Sequence, residues 1–166
     1  ALIIFRSELL GNLLVTDAIK EASELTGEQV RTRIDLTDFE IDTGDGNCNL
    51  TVTGDNTGAT SIADFGKMDV IVQFTTKFTT GDNPPQRLTY VTGDMPDTIG
   101  DWVKRSISGE FEPGIWNPDE TLILKGLLNL PLGSVDITAT VTVATPRGVT
   151  DTITARDVLT LPCLRP

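Results

Sequence analysis

The chain has 166 residues, 39% of them hydrophobic and 22% charged, proportions that suit one folded domain with an appendage and argue against disorder. Its net charge of −11 repels a polyanion, which argues against nucleic acid as a partner. It contains no histidine, so histidine-based triads, histidine acid–base pairs and histidine-bound zinc are excluded together.

Residues 1–33 carry no proline, and their apolar positions Leu2, Phe5, Leu9, Leu13, Ile19, Ala22, Leu25 and Val30 recur at helical spacing. The spacing predicts one helix of about 45 Å, longer than a small head needs for its own packing. From Ala1 to Val15 it is apolar almost all round, interrupted by Arg6, Glu8 and Asn12. From Asp17 to Arg33 it is amphipathic, so its two halves call for different surroundings. The chain opens at Ala1 without a methionine, and a leader is expected to have been removed or to lie outside this sequence. No apolar run approaches the roughly 20 residues of a membrane span.

After Arg33 the pattern changes to short β-rich runs separated by glycine, proline and aspartate. Strands are predicted near 36–42, 48–53, 68–78, 87–91, 102–107, 121–129, 134–144 and 149–156. Alternation is clearest in Val135-Asp-Ile-Thr-Ala-Thr-Val-Thr-Val-Ala144, with valine and isoleucine on one side and threonine or aspartate on the other. Strands this short and closely spaced imply an antiparallel, immunoglobulin-like β-sandwich. The expected fold class is therefore α+β, with a helix over 1–33 and a sandwich head over 34–166.

The first strand runs into Phe39-Glu-Ile-Asp-Thr-Gly-Asp-Gly46, which resembles the way an aspartic protease presents its catalytic carboxylate. Thr-Gly-Asp recurs at 43–45, 53–55, 80–82 and 92–94, each time at the end of a strand-like run, and reads as turn vocabulary. No second Asp-Thr-Gly supplies the carboxylate that such a dyad needs, so Asp42 is read as the end of a strand and no catalytic residue is assigned. Asp42, Asp45, Asn47 and Asn49 are dense oxygen ligands but lack an EF-hand spacing and its distal glutamate, so no metal or cofactor is assigned. Asn49-Leu-Thr51 is an N-glycosylation sequon. Cys48 and Cys163, the two cysteines, have the wide spacing of a disulfide and not of a metal knuckle. Trp102 and Trp116 are expected to fill the sandwich or its edge.

A helix of this kind followed by a threonine-rich sandwich resembles the class III pilins, and among them the archaellins, subunits of the archaeal swimming filament. The stretches that carry the resemblance are Gly27-Glu-Gln-Val-Arg-Thr-Arg33 at the helix-to-head junction, Leu50-Thr-Val-Thr-Gly-Asp-Asn-Thr-Gly58 with Ile62-Ala-Asp-Phe65 and Met68-Asp-Val-Ile-Val72, Phe111-Glu-Pro-Gly-Ile-Trp-Asn-Pro-Asp-Glu120, and Val141-Thr-Val-Ala-Thr-Pro-Arg-Gly-Val149. The resemblance implies a non-enzymatic subunit of an extracellular, cell-surface homopolymer used for motility. Its helices bundle through Leu2, Ile3, Ile4, Phe5, Leu9, Leu10, Leu13, Leu14, Ile19 and Ala22, and its heads form the outer wall. A second reading is an adhesive pilin, or an adhesin or stator-like module anchored in the envelope and bound to envelope or surface-layer components. Arg6, Ser7 and Glu8 interrupt the apolar run that the family's helix usually has.

Overall fold

The computed structural model describes residues 2–42, 48–76, 84–109, 111–129 and 137–156, with helix side chains described from Val15 onward. One helix, α1 (Leu2–Arg31), precedes eight strands: β1 (Ile34–Asp42), β2 (Cys48–Asn56), β3 (Asp69–Thr76), β4 (Gln86–Tyr90), β5 (Asp101–Ile107), β6 (Thr121–Leu128), β7 (Ile137–Ala144) and β8 (Thr150–Arg156). A 3-10 turn, Phe65–Lys67, leads into β3.

The strands lie in the order β1-β2-β6-β5-β4-β3-β7-β8. Their pairings are antiparallel except that of β4 with β5, where Thr89 and Tyr90 lie beside Asp101 and Trp102 in parallel register. Five strands thus make one layer of a sandwich, and β4 passes the ladder on to β3, β7 and β8 in the other. The outermost strands, β1 and β8, come together across the open side, where the Leu36 amide donates to Asp151 Oδ2 at 2.7 Å. A side chain closes there what backbone pairing leaves open, which protects both edges from pairing with another chain.

Alternation decides which side chains enter the core. Ile34, Leu36, Phe39 and Ile41 of β1 are buried while Asp35, Asp38, Glu40 and Asp42 are exposed. That sequence breaks strict period two, and the bulge between Leu36 and Asp38 restores the phase so that Phe39 faces Val52 and Ile41 faces Leu50 inside. Val70, Val72 and Phe74 of β3 meet Ala139, Val141 and Val143 of β7 in the same way. Trp102 and Trp116 are 0% and 1% exposed. Trp102 carries Tyr90 against its ring at 4.8 Å between centroids, and Tyr90 in turn meets Phe65 at 6.2 Å.

Thr53-Gly54-Asp55 departs from the turn expected of it and lies inside β2, paired with β1 on one side and β6 on the other. The glycine serves there by having no side chain, because a Cβ on Gly54 would stand 3.0 Å from Leu36 Cδ2. Thr92-Gly93-Asp94 does lie outside the strands, with Gly93 at φ +152°. The copies at 43–45 and 80–82 lie outside the described residues.

Candidate functional site

Two features are built by the sequence without serving the core: a stalk left bare and a joint that holds it. The helix ends where Thr32 turns back on it, its amide and Oγ1 reaching the Glu28 carbonyl at 2.9 and 2.8 Å. Every described residue from Val15 to Thr26 is exposed, so within the described side chains the head covers only the last turn of the helix. Val15, Ile19 and Ala22 share one face by their spacing of four and three residues, with Leu25 and Val30 flanking them. Val15 is 58%, Ile19 64%, Leu25 44% and Val30 81% exposed. Lys20, Glu21, Glu24, Glu28 and Arg31 occupy the opposite side. Among the described side chains the head leaves this apolar face of the helix uncovered. Burying each large side chain fully is worth about 1.5–3 kcal/mol.

The joint is fastened from two directions. On one side the loop after β2 reaches the last carbonyls of the stalk: Ala59 N donates to Arg31 O at 2.8 Å and Gly58 N to Arg33 O at 3.0 Å. Helix carbonyls that would otherwise lack partners are thereby satisfied by the head. Asn56, wholly buried, shapes that loop; its Nδ2 donates to Thr60 O at 2.9 Å and Trp116 O at 3.0 Å, while its Oδ1 accepts from Gly58 N at 3.2 Å. Gly58 admits no side chain, since a Cβ would lie 2.5 Å from Arg31 O and closer still to Arg33 N. On the other side, in the β7–β8 turn, the Arg147 carbonyl accepts from Gln29 Nε2 at 2.8 Å and Arg147 Nη2 lies 2.6 Å from Glu28 Oε2. That glutamate oxygen is buried and accepts no well-angled hydrogen bond, so the guanidinium charge is what compensates it. A cavity of about 420 Å³ flanks the joint, lined by Thr32, Thr60, Ile62 and Thr145 among others. Both of its carboxylates are compensated, Glu28 by Arg147 and Asp64 by Lys67 at 2.8 Å.

A third loop braces the one after β2. Ile62 and Trp116 exchange backbone hydrogen bonds at 2.9 and 2.8 Å, and Trp116 Nε1 donates to Glu120 O at 2.7 Å. The Glu120 carboxylate accepts the amides of Asn117 at 2.8 Å and Phe111 at 3.2 Å. These backbone donors hold its pKa below the ordinary glutamate value. A lowered folded pKa gives stability that is full above the unfolded value, about 4.3, and is lost as the pH falls through the folded one. Glu120→Gln should therefore lower the melting temperature at neutral pH and flatten its fall in acid; identical acid profiles for variant and wild type would contradict this role. The loop presents Phe111, 85% exposed, to solvent.

The residues named from the sequence distribute unevenly over these features. Ile19 and Ala22 lie on the exposed stalk face. Leu2, Ile3, Ile4, Phe5, Leu9, Leu10, Leu13 and Leu14 belong to α1, and their side chains lie outside the described residues. Cys48 is buried and disulfide-bonded; Cys163 lies outside the described residues. Asp42 ends β1 and accepts from Asn49 Nδ2 at 3.0 Å, which also occupies the sequon asparagine, while Asp45 and Asn47 lie outside the described residues. Among the described residues no histidine, cysteine, aspartate or glutamate group is gathered to hold a metal, and no helix is long and apolar enough to cross a membrane. Sequence reading missed Asn56, Gly58, Arg147 and Glu120; Asn56-Thr-Gly58 and Pro146-Arg-Gly148 are turn signals, yet neither says that the turn touches the stalk.

An amphipathic helix whose described part is exposed up to Thr26 is thus fastened at its end to a β-sandwich. Among solved structures the chain is similar to the archaeal flagellum of Methanospirillum hungatei strain JF1, with a TM-score of 0.56 and 12% identity over 91% of this chain and 81% of that one. It also matches the archaellum periplasmic stator protein FlaG from Sulfolobus acidocaldarius, with a TM-score of 0.48 and 18% identity over 75% of this chain and 99% of that one. A third match is the FlaF and FlaG stator complex of the same organism, at 0.45 and 22% over 73% of this chain and 90% of that one. No protein-family model and no curated sequence matches. At these identities what is shared is the fold, one that an archaellum component has.

Proposed function

We propose that this chain is a structural subunit of an archaellum-like helical filament, polymerising through its N-terminal helix outside the cell and serving swimming motility. The observation that carries the reading is the stalk face of Val15, Ile19 and Leu25, exposed on a helix whose described side chains meet the head only in the last turn. The likeness to the Methanospirillum filament supports it, because a match over 91% of this chain includes stalk as well as head. A helix that must find its cover on another copy, in a contact that does not close on itself, gives an open polymer. Catalysis and a cofactor form no part of this proposal.

Phe111 favours the second reading, a head that works through a discrete envelope partner, since a rigid loop displaying one aromatic suits an anchor residue. Electron microscopy of fibres sheared from producing cells, with subunits identified by mass spectrometry, separates the two. Fibres built from this chain are expected; its recovery at the envelope and from no fibre would overturn the filament reading in favour of the anchored module.

A further inference from the structure

The head has two unlike outer faces. On the β1 side Asp35, Asp38 and Glu40 stand exposed, and the residues registered across from them are Asp55, Thr53 and Thr51, none of them a cation. Asp35 directly opposite Asp55 is a like-charge pair, offset by the hydrogen bond that Asp55 Oδ1 accepts from Thr121 Oγ1 at 2.6 Å and by hydration. The other face, formed by β3, β7 and β8, presents Thr138, Thr140 and Thr142 beside Thr150, Thr152 and Thr154. Thr140 and Thr154 share a hydrogen bond at 3.0 Å, and Thr142 and Thr152 one at 2.9 Å. On β3 the same face continues as Gln73 and Thr75. Among the described side chains its one carboxylate is Asp69 at the margin, neutralised by Arg87. Asp151 of β8 is turned away, toward β1.

We propose that this threonine face is where the heads of neighbouring copies meet. The inference rests on the filament reading and adds the head contact to it. Copies that each carry −11 repel, so close approach is cheapest where no carboxylate has to shed its water uncompensated. Hydroxyls already bonded to one another across β7 and β8 lose little on being covered, and their methyl groups supply apolar area. Three strands of seven residues span roughly 300 Å² at the usual strand spacing and rise. A stable pair of free proteins buries about 800 Å² on each partner, so this face alone cannot hold two heads together. It acts once the stalks have brought the heads to high effective concentration. The acidic β1 face is left to solvent.

The test introduces a charge on the threonine face and removes one from the acidic face. Thr140→Asp, and independently Thr152→Lys on the outermost strand, should lower fibre yield at least tenfold while the secreted subunit keeps the wild-type melting curve. Glu40→Gln on the other face should assemble as wild type does. Wild-type fibre yield from a folded Thr140→Asp or Thr152→Lys chain would overturn the head contact and leave the filament reading standing. Wild-type cells whose fibres lack this chain would overturn both.

Discussion

Ile19→Asp leaves the head folded and removes the fibres. Ile19 is 64% exposed in the single chain and touches no part of the core, so the substitution costs the free subunit little beyond a few tenths of a kcal/mol of helix propensity. In a polymer the same position is buried in every copy. Each subunit then loses about 1.5–3 kcal/mol of apolar burial and must also bring an unpaired carboxylate out of water. Because the loss recurs at every step of the lattice, assembly should disappear and not merely weaken. Melting followed by circular dichroism, and pelleting of fibres, read the two halves of this result separately. Fibres from the variant at normal yield would show that the stalk is not the assembling element.

Gly58→Ala should loosen the stalk from the head. The added methyl meets backbone on two sides, at the Arg31 carbonyl and the Arg33 amide, where no side-chain rotation gives relief. The loop must retreat, and with it go the bonds from Gly58 to Arg33 and from Ala59 to Arg31, each worth about 1 kcal/mol net. With the contact from Asn56 Oδ1 also disturbed, the loss is about 2–3 kcal/mol, and the melting temperature falls by roughly 5–10 °C. Protease cleavage near Thr32 to Ile34 should become faster, because Thr32 and Ile34 are buried beside the loop that would retreat. Removing the other fastening has a smaller effect. Arg147 and Glu28 are each more than a third exposed, so Arg147→Ala costs under about 1 kcal/mol. A Gly58→Ala chain as stable and protease-resistant as wild type would mean that the joint does not depend on this close approach.

What could be read from the sequence was what depends on local period. The helix and the described strands lie, to within about three residues at their ends, where helical spacing and alternation put them, because each element's burial is set by its own residues. Contacts between distant turns were not legible. Gln29 meets Arg147 across 118 positions of chain, and nothing in Pro146-Arg-Gly148 distinguishes a turn that clamps a helix from one that faces solvent. Gly54 misled for a related reason: Thr-Gly-Asp is good turn chemistry, but a glycine may also be there to let a neighbour's side chain in, and only the register of β1 and β2 tells which. The parallel pairing of β4 with β5 escaped as well, since residues 91–100 read as an ordinary connection between antiparallel neighbours. On the stalk, amphipathicity and a length beyond the head's needs were visible in the sequence, whereas which residues stay uncovered, Val15 to Thr26 among the described side chains, became visible only with the head in place.

In the proposed fibre the stalk face of one copy is covered by the stalks of others. An Ile19→Cys chain tests it directly, because Cys48 is disulfide-bonded and the described residues offer no free thiol to compete. Reaction of fibres with a water-soluble maleimide should leave that cysteine protected, while fibres dissociated into subunits react fully. Equal labelling of fibres and dissociated subunits would place Ile19 in solvent within the assembly and contradict the account.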